Sequence, residues 1–324
     1  MWVSAPLYYL DKKYKREKVA GKSVYVEGGH RADAVPHQVT IYNGRLKETS
    51  VGEHERLNKH GFVLHSIKDS IFERIKRIDM PKIETNESLR LQYYALIEQA
   101  VLEATSCDYV RAFNFTLRNS EIVGVHTKPI GDNSARGPVN DVHTDFTPTA
   151  PAIISIAQLS ETLGLGGCRF SLLNCWRNID LENPISHWPM AICDIETVDH
   201  EHDLIARISP ENGNHIYNLL PNKNHKWYTF PAQTANELLL FKQYDTRNRL
   251  RCYTPHTSFD DPRCPPHAPP RYSCEVRCIC WFDPSGKYAE AMEALHKKGV
   301  GQTSRRVKER SNRGGMHYST RGKL

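Results

Sequence analysis

The stretch YSCEVRCICWF (residues 272–282) reads as a single β-strand. Apolar and aromatic residues fill it, and Cys274, Cys278 and Cys280 fall at even spacing, which puts them on one face of an extended chain. Runs of the same texture recur upstream: RAFNFTLR (111–118), AIISIAQL (152–159), RFSLLNCWR (169–177), PMAICDI (189–195) and ELLLFKQY (237–244). Shorter strand signals stand at HQVTIYNGR (37–45) and HGFVLHSI (60–67). Turn residues separate the runs, at Gly131-Asp132-Asn133, Gly164 to Gly167 and Asn212-Gly213-Asn214. Two stretches follow a helical period instead. One runs over 88–104 with Asn86 as N-cap, the other over 286–296, ending at Gly299. The pattern predicts a mainly β domain with flanking helices, a sandwich or barrel with its helices on one face. Residues 1–298 read as a single catalytic domain. Within it, residues 1–60 are weakly patterned and read as an N-terminal extension lying on the core.

The 324 residues suffice for a core without disulfides or metals. No apolar run approaches the length of a membrane span, and the N-terminus carries Asp11, Lys12, Lys13, Lys15 and Arg16 where a signal peptide needs apolar residues. Nine cysteines, an odd number with no C-x-x-C pair, read as buried free thiols of a cytoplasmic protein. The net charge of +6 is carried by the C-terminal segment. Nine Lys/Arg and one Glu fall in residues 297–324, so the rest of the chain is slightly acidic. Residues 299–324 read as a basic, disordered tail.

The chemistry sits in His143-Thr144-Asp145 and in the distant His256. In an extended segment, residues i and i+2 share a face, so one imidazole and one carboxylate stand side by side. Two histidines and one carboxylate make up the facial triad of non-haem Fe(II) oxygenases, with open positions left for a co-substrate and dioxygen. Fifteen residues after His256, Arg271 and Ser273 lie two apart on one strand face. A guanidinium and a hydroxyl so placed can fork-bind a carboxylate such as the distal one of 2-oxoglutarate. Arg277 shares that face and competes for the same role.

The chain resembles the family of fungal and bacterial hydroxylase/desaturases related to the small cephalosporin 7-alpha-methoxylase protein and to a fungal meroterpenoid endoperoxidase. The matching segments are VHTDFTP (142–148), GGCRFSLLNCWRNI (166–179), PMAICD (189–194), HKWYTFPAQTANELLLFKQYDT (225–246), PHTSFDDP (255–262) and PRYSCEVR (270–277). They keep their order over residues 110 to 282. Asn178 and Tyr272 depart from the family pattern, where a Pro and a Glu are expected. The resemblance implies a double-stranded β-helix (jelly-roll) core and an Fe(II)/2-oxoglutarate-dependent dioxygenase, with His143, Asp145 and His256 at the ligand positions. It also implies a small-molecule natural-product substrate that is hydroxylated, desaturated, cyclised or peroxidised. Phe146, Trp176, Arg177, Trp227 and Tyr244 are the candidate substrate contacts. Against this stand two alternatives: a metal enzyme using the same triad without 2-oxoglutarate, and a non-catalytic module whose basic tail binds nucleic acid. The slightly acidic body argues against nucleic acid as the main partner, and the reading leaves room for a homodimer.

Overall fold

The computed structural model describes residues 2–14, 33–47, 50–122, 136–208, 215–248 and 251–290, and the backbone of Ser304–Val307 and His317–Ser319. Its strands are β1 (Trp2–Leu10), β2 (Ala34–Asn43), β3 (Phe62–Ser66), β4 (Tyr109–Asn119), β5 (His143–Thr144), β6 (Arg169–Asn178), β7 (Met190–Cys193), β8 (Leu204–Ile208), β9 (His215–Leu219), β10 (Trp227–Thr229), β11 (Glu237–Asp245), β12 (His256–Ser258), β13 (Tyr272–Phe282), β14 (Ser304–Val307) and β15 (His317–Ser319). Four α-helices accompany them: α1 (Glu53–His60), α2 (Asp69–Ile75), α3 (Glu87–Ala104) and α4 (Pro151–Thr162).

The strands make two sheets, ordered β1-β2-β10-β7-β12-β5-β9-β8 and β15-β14-β4-β13-β6-β11-β3. They form the double-stranded β-helix core. Strands β6, β11 and β13 are buried on both faces. One face joins the cluster of Val63, Leu173, Cys175, Leu238, Leu240, Cys274, Val276, Cys278 and Cys280 against α3. The other faces the second sheet, where Trp176, Leu239, Phe241 and Ile192 meet. A strand buried on both sides has no polar face, which is why these runs look apolar rather than alternating. Helix α3 covers the sheet with Tyr93, Leu96, Ile97, Ala100, Val101 and Ala104, and the Asn86 side chain caps it by accepting from the Leu89 amide at 3.1 Å.

Three expectations are corrected. AIISIAQL is not a strand but lies within α4, because Pro151 presets the first turn and Ile153, Ile156 and Ser160 are buried at helical spacing. The N-terminal residues are not merely laid on the core. Val3, Ala5, Leu7 and Tyr9 alternate inward along β1 into the main cluster, and β1 and β2 extend the first sheet. Within the segment read as disordered, the described residues form β14 and β15, which pair antiparallel, and β14 adds to β4 at Tyr109 and Val110. The rest of 299–324, and residues 291–296 of the second expected helix, lie outside the described residues. All nine cysteines are free, and Cys274, Cys278 and Cys280 share the helix-side face as their spacing predicts.

Candidate active site

The first sheet pairs His256 on β12 directly with His143 on β5. That register sets the two imidazoles side by side, with ring centroids 4.5 Å apart. Asp145 follows β5, its Oδ1 at 3.5 Å from His143 Nε2 and 3.8 Å from His256 Nε2. Both Nδ1 atoms face backbone carbonyls, His143 on Asp141 at 2.8 Å and His256 on Thr254 at 3.1 Å. A carbonyl only accepts, so each Nδ1 carries the proton and each Nε2 presents its lone pair to the space beside Asp145. Two imidazole nitrogens and a carboxylate oxygen, buried and converging, are a donor set that fits Fe(II).

The other carboxylate oxygen is held from behind. Asp145 Oδ2 accepts from Asn174 Nδ2 at 2.6 Å and from the Arg277 guanidinium at 2.9 Å, and Asn174 and Arg277 are themselves cross-strand partners on β6 and β13. The Asp145 amide donates to Gln243 Oε1 at 2.8 Å. Gln243 follows Leu239 and Phe241 on the inward face of β11, at the point where the strand bulges between Lys242 and Tyr244. Burial alone would raise the Asp145 carboxyl. Arg277 and the two histidines outweigh it and hold the group well below the usual carboxylate range. Burial, helped by His143, pushes His256 down to about 3, leaving a neutral imidazole fit to donate its lone pair. Asn174→Ala removes one of the two bonds that leave only Oδ1 facing the histidines. It is expected to weaken Fe(II) binding about tenfold while the protein stays folded, measured anaerobically by calorimetry; unchanged affinity would remove Asn174 from this role.

A second cluster of metal-ligand type, His60, Asp194 and Glu196, already holds a cation, since Lys47 Nζ lies 2.9 Å from Asp194 Oδ2.

A small cavity of about 20 Å³ is lined by His143, Asp145 and His256 together with Trp176, Glu275, Arg118 and Arg271. Arg271 is 3% exposed and donates to the Trp188 carbonyl, while its Nε has no partner. Trp188 itself sits at φ 49°, a left-handed conformation that costs a non-glycine residue energy. Ser273 Oγ is fully buried and also without a partner. Burial, with Arg118 adding to it, pushes the Arg271 guanidinium down to about 9. A buried cation with a spare donor beside a spare hydroxyl fits a carboxylate, so the residues present suit the distal end of 2-oxoglutarate. Arg277 is differently engaged, on Asp145 and, at 3.4 Å, on Glu275.

Of the candidate substrate contacts, Trp176 lines this cavity, and Phe146 lies beneath the Arg277 guanidinium at 5.1 Å. Tyr244 faces the core beside Phe170 and Tyr253. Trp227 is elsewhere, fully buried and donating to Tyr9 at 2.6 Å. Arg177 is also misassigned. It follows Trp176 on β6 and therefore points to the helix side, donating to Tyr93 Oη at 3.2 Å and to the Ala235 carbonyl at 2.9 Å. Arg177→Ala is expected to cost about 2–3 kcal/mol of stability in urea denaturation, through the loss of charge-assisted bonds, and to leave Fe(II) affinity unchanged. Loss of metal affinity at full stability would reverse that assignment.

Sequence reasoning missed Asn174, Gln243, Arg118 and Glu275. Asn174 and Gln243 stand as lone amides inside apolar strands, which is the signal that points to them.

A family model described as oxidoreductase/YMDC permease-like domain matches residues 7–281. The chain is 28% identical over 251 residues to the Fe(II)/2-oxoglutarate-dependent dioxygenase nvfI of Aspergillus novofumigatus, covering 75% of this chain and 83% of that one. It is 27% identical over 249 residues to the hydroxylase/desaturase efuI of Hormonema carpetanum, covering 70% and 79%. Its fold matches the solved structure of the iron and alpha-ketoglutarate-dependent endoperoxidase NvfI with a TM-score of 0.64 at 25% identity, over 87% of this chain and 98% of that one.

Proposed function

The chain belongs to the oxidoreductase/YMDC permease-like domain family, among fungal Fe(II)/2-oxoglutarate-dependent dioxygenases and hydroxylase/desaturases, and from that premise we propose that it oxidises a natural-product intermediate with Fe(II), 2-oxoglutarate and dioxygen. It is an enzyme of the Fe(II)/2-oxoglutarate-dependent oxygenase type. The observation that carries the site assignment is the convergence of His143 Nε2, His256 Nε2 and Asp145 Oδ1, with both Nδ1 atoms tied to carbonyls.

In this reading His143, Asp145 and His256 hold the iron. An iron held by these three residues together with 2-oxoglutarate would supply dioxygen activation, coupled to oxidative decarboxylation of the co-substrate. The remaining work belongs to the chain. Asn174 and Arg277 fix the Asp145 carboxylate so that only Oδ1 faces the histidines. Arg271 and Ser273 take the distal carboxylate of 2-oxoglutarate through the unpartnered Nε side of the guanidinium and the unpartnered hydroxyl, while Nη1 stays on the Trp188 carbonyl. Phe241, 4.7 Å from the His256 ring, and Phe146 keep water from the iron's surroundings.

The natural-product class is supported by the relatives and by the aromatic residues Phe146 and Trp176 near the site, which favour a largely apolar ligand. Among the described residues, no helix is long and apolar enough to cross a membrane.

The test is turnover. Protein supplied with Fe(II), 2-oxoglutarate, oxygen and extract from cells lacking the gene is expected to form succinate. It should also convert one metabolite to a product that has gained oxygen or lost two hydrogens, read by mass spectrometry. Turnover of such a metabolite without succinate would favour chemistry at the same triad without 2-oxoglutarate. A free amino acid or nucleotide as the sole consumed species would overturn the substrate class.

A further inference from the structure

The lining of the cavity holds two guanidinium groups with no close ion pair of their own, although Glu275 and Asp145 act on Arg118 at longer range. Arg118 and Arg271 both line it, and among the described residues neither has a carboxylate within 4 Å. The only acids there, Asp145 and Glu275, are those engaged by Arg277. Among the described residues, the Arg118 guanidinium makes one hydrogen bond, to the Gly137 carbonyl at 2.9 Å, out of its five donors. It is placed by register: on β4, Arg118 stands directly opposite Ser273 of β13, whose buried hydroxyl has no partner. Arg271 lies two residues before Ser273, so all three groups converge on one corner of the inner face.

The buried guanidinium of Arg271 and the half-buried one of Arg118 repel each other, and an anion received between them would relieve that repulsion. Burial lowers both arginines from their ordinary values, and Arg118 adds to the lowering at Arg271. The cost falls on the folded protein unless a ligand offsets it.

We propose that Arg118 is a second carboxylate-binding residue, which with Arg271 and Ser273 forms a two-guanidinium clamp for the distal carboxylate of 2-oxoglutarate. This rests on the co-substrate reading above. The clamp makes the site selective for a 2-oxo acid with a second carboxylate at C5, over a 2-oxo monoacid that offers the same chelating end. One carboxylate has two oxygens and four lone-pair directions, enough to take a fork from Arg271, one bond from Arg118 and the serine hydroxyl.

The experiment measures binding to the Mn(II)-loaded, full-length protein, so that no turnover is needed. The probes are 2-oxoglutarate and 2-oxobutyrate, which share the chelating end and differ in the distal carboxylate. Arg118→Ala and Arg118→Gln are expected to weaken 2-oxoglutarate about tenfold or more and to leave 2-oxobutyrate unchanged, with Arg118→Lys in between. The 2-oxobutyrate affinity doubles as the control that the variant is folded and metal-loaded. Unchanged 2-oxoglutarate affinity in both Arg118 variants, while Arg271→Ala loses it, would overturn the clamp alone and leave the co-substrate reading standing. Equal loss of both probes would overturn it too, since that marks a distorted cavity rather than a lost carboxylate contact. If Arg271→Ala and Arg118→Ala both leave 2-oxoglutarate binding untouched, the co-substrate reading falls with the clamp.

Discussion

Replacing any one of His143, Asp145 or His256 by alanine is expected to abolish Fe(II) retention at micromolar metal and with it all turnover. Each residue offers a single donor atom, so each loss leaves only two protein ligands. Residues that merely position metal ligands cost about 10–100-fold in affinity, and loss of a ligand costs more than that. His256→Ala is the cleanest of the three, because its Nδ1 bonds only the Thr254 carbonyl and the pairing of β12 with β7 continues at Thr257 and Ser258. Asp145→Ala carries a second consequence. Arg277 and Asn174 lose their shared acceptor, leaving a buried guanidinium with Glu275 at 3.4 Å as its remaining partner. That variant should therefore also lose thermal stability, which His256→Ala should not. Iron content by metal analysis after anaerobic loading, read beside the melting temperature, separates the two effects. Near-normal product formation by Asp145→Ala would show the triad to be drawn wrongly.

Arg271→Ala should keep its iron and lose its co-substrate. Truncating one partner of a desolvated charge pair costs about 2–5 kcal/mol, which raises the 2-oxoglutarate requirement by about thirtyfold or more. The same substitution is expected to leave the ligand-free protein as stable as before or more so. Arg271 is buried with an unpartnered Nε and a pKa lowered to about 9, so its charge weighs on the fold; the penalty is full below about pH 9 and is relieved as pH rises above it. Arg271→Met is the sharper version, because it fills the space with an apolar side chain of similar length. A rise in melting temperature together with a lost 2-oxoglutarate response is the signature of a binding residue kept at the expense of stability. Should Arg277→Ala lose the co-substrate response with iron retained while Arg271→Ala does not, the roles of the two arginines are reversed.

The pieces of this site are unequally legible in the sequence. H-x-D followed by a distant His and then R-x-S is an ordered set in which strand alternation alone pairs the groups two apart. What alternation cannot supply is the partner across the sheet. Asn174 and Gln243 stand on the inward faces of β6 and β11, but only the pairing of β6 with β13 and the packing of the sheets show that they meet Asp145. Arg118 is likewise invisible as a site residue until register sets it opposite Ser273. Trp176-Arg177 shows the converse. Adjacent residues on a strand point to opposite faces, so one lines the cavity and the other serves α3. The helix at 87–104 is legible from its cap and period, whereas α4 is misread because Ile153, Ile154 and Ile156 carry strong β character until Pro151 and the packing of Ile153 and Ile156 decide for a helix. The alternation of β1 is as regular as any in the chain, but flanking lysines disguise it as an extension.

The central claim is that His143, Asp145 and His256 hold an iron to which 2-oxoglutarate binds, and one titration tests it most directly. Anaerobic wild-type protein loaded with Fe(II), its metal content confirmed, is titrated with 2-oxoglutarate and followed in the visible region. A weak charge-transfer absorption that saturates at one equivalent per iron, and is missing from His143→Ala under the same conditions, is the predicted result. Wild-type protein with iron bound and no such absorption at saturating 2-oxoglutarate would contradict the account.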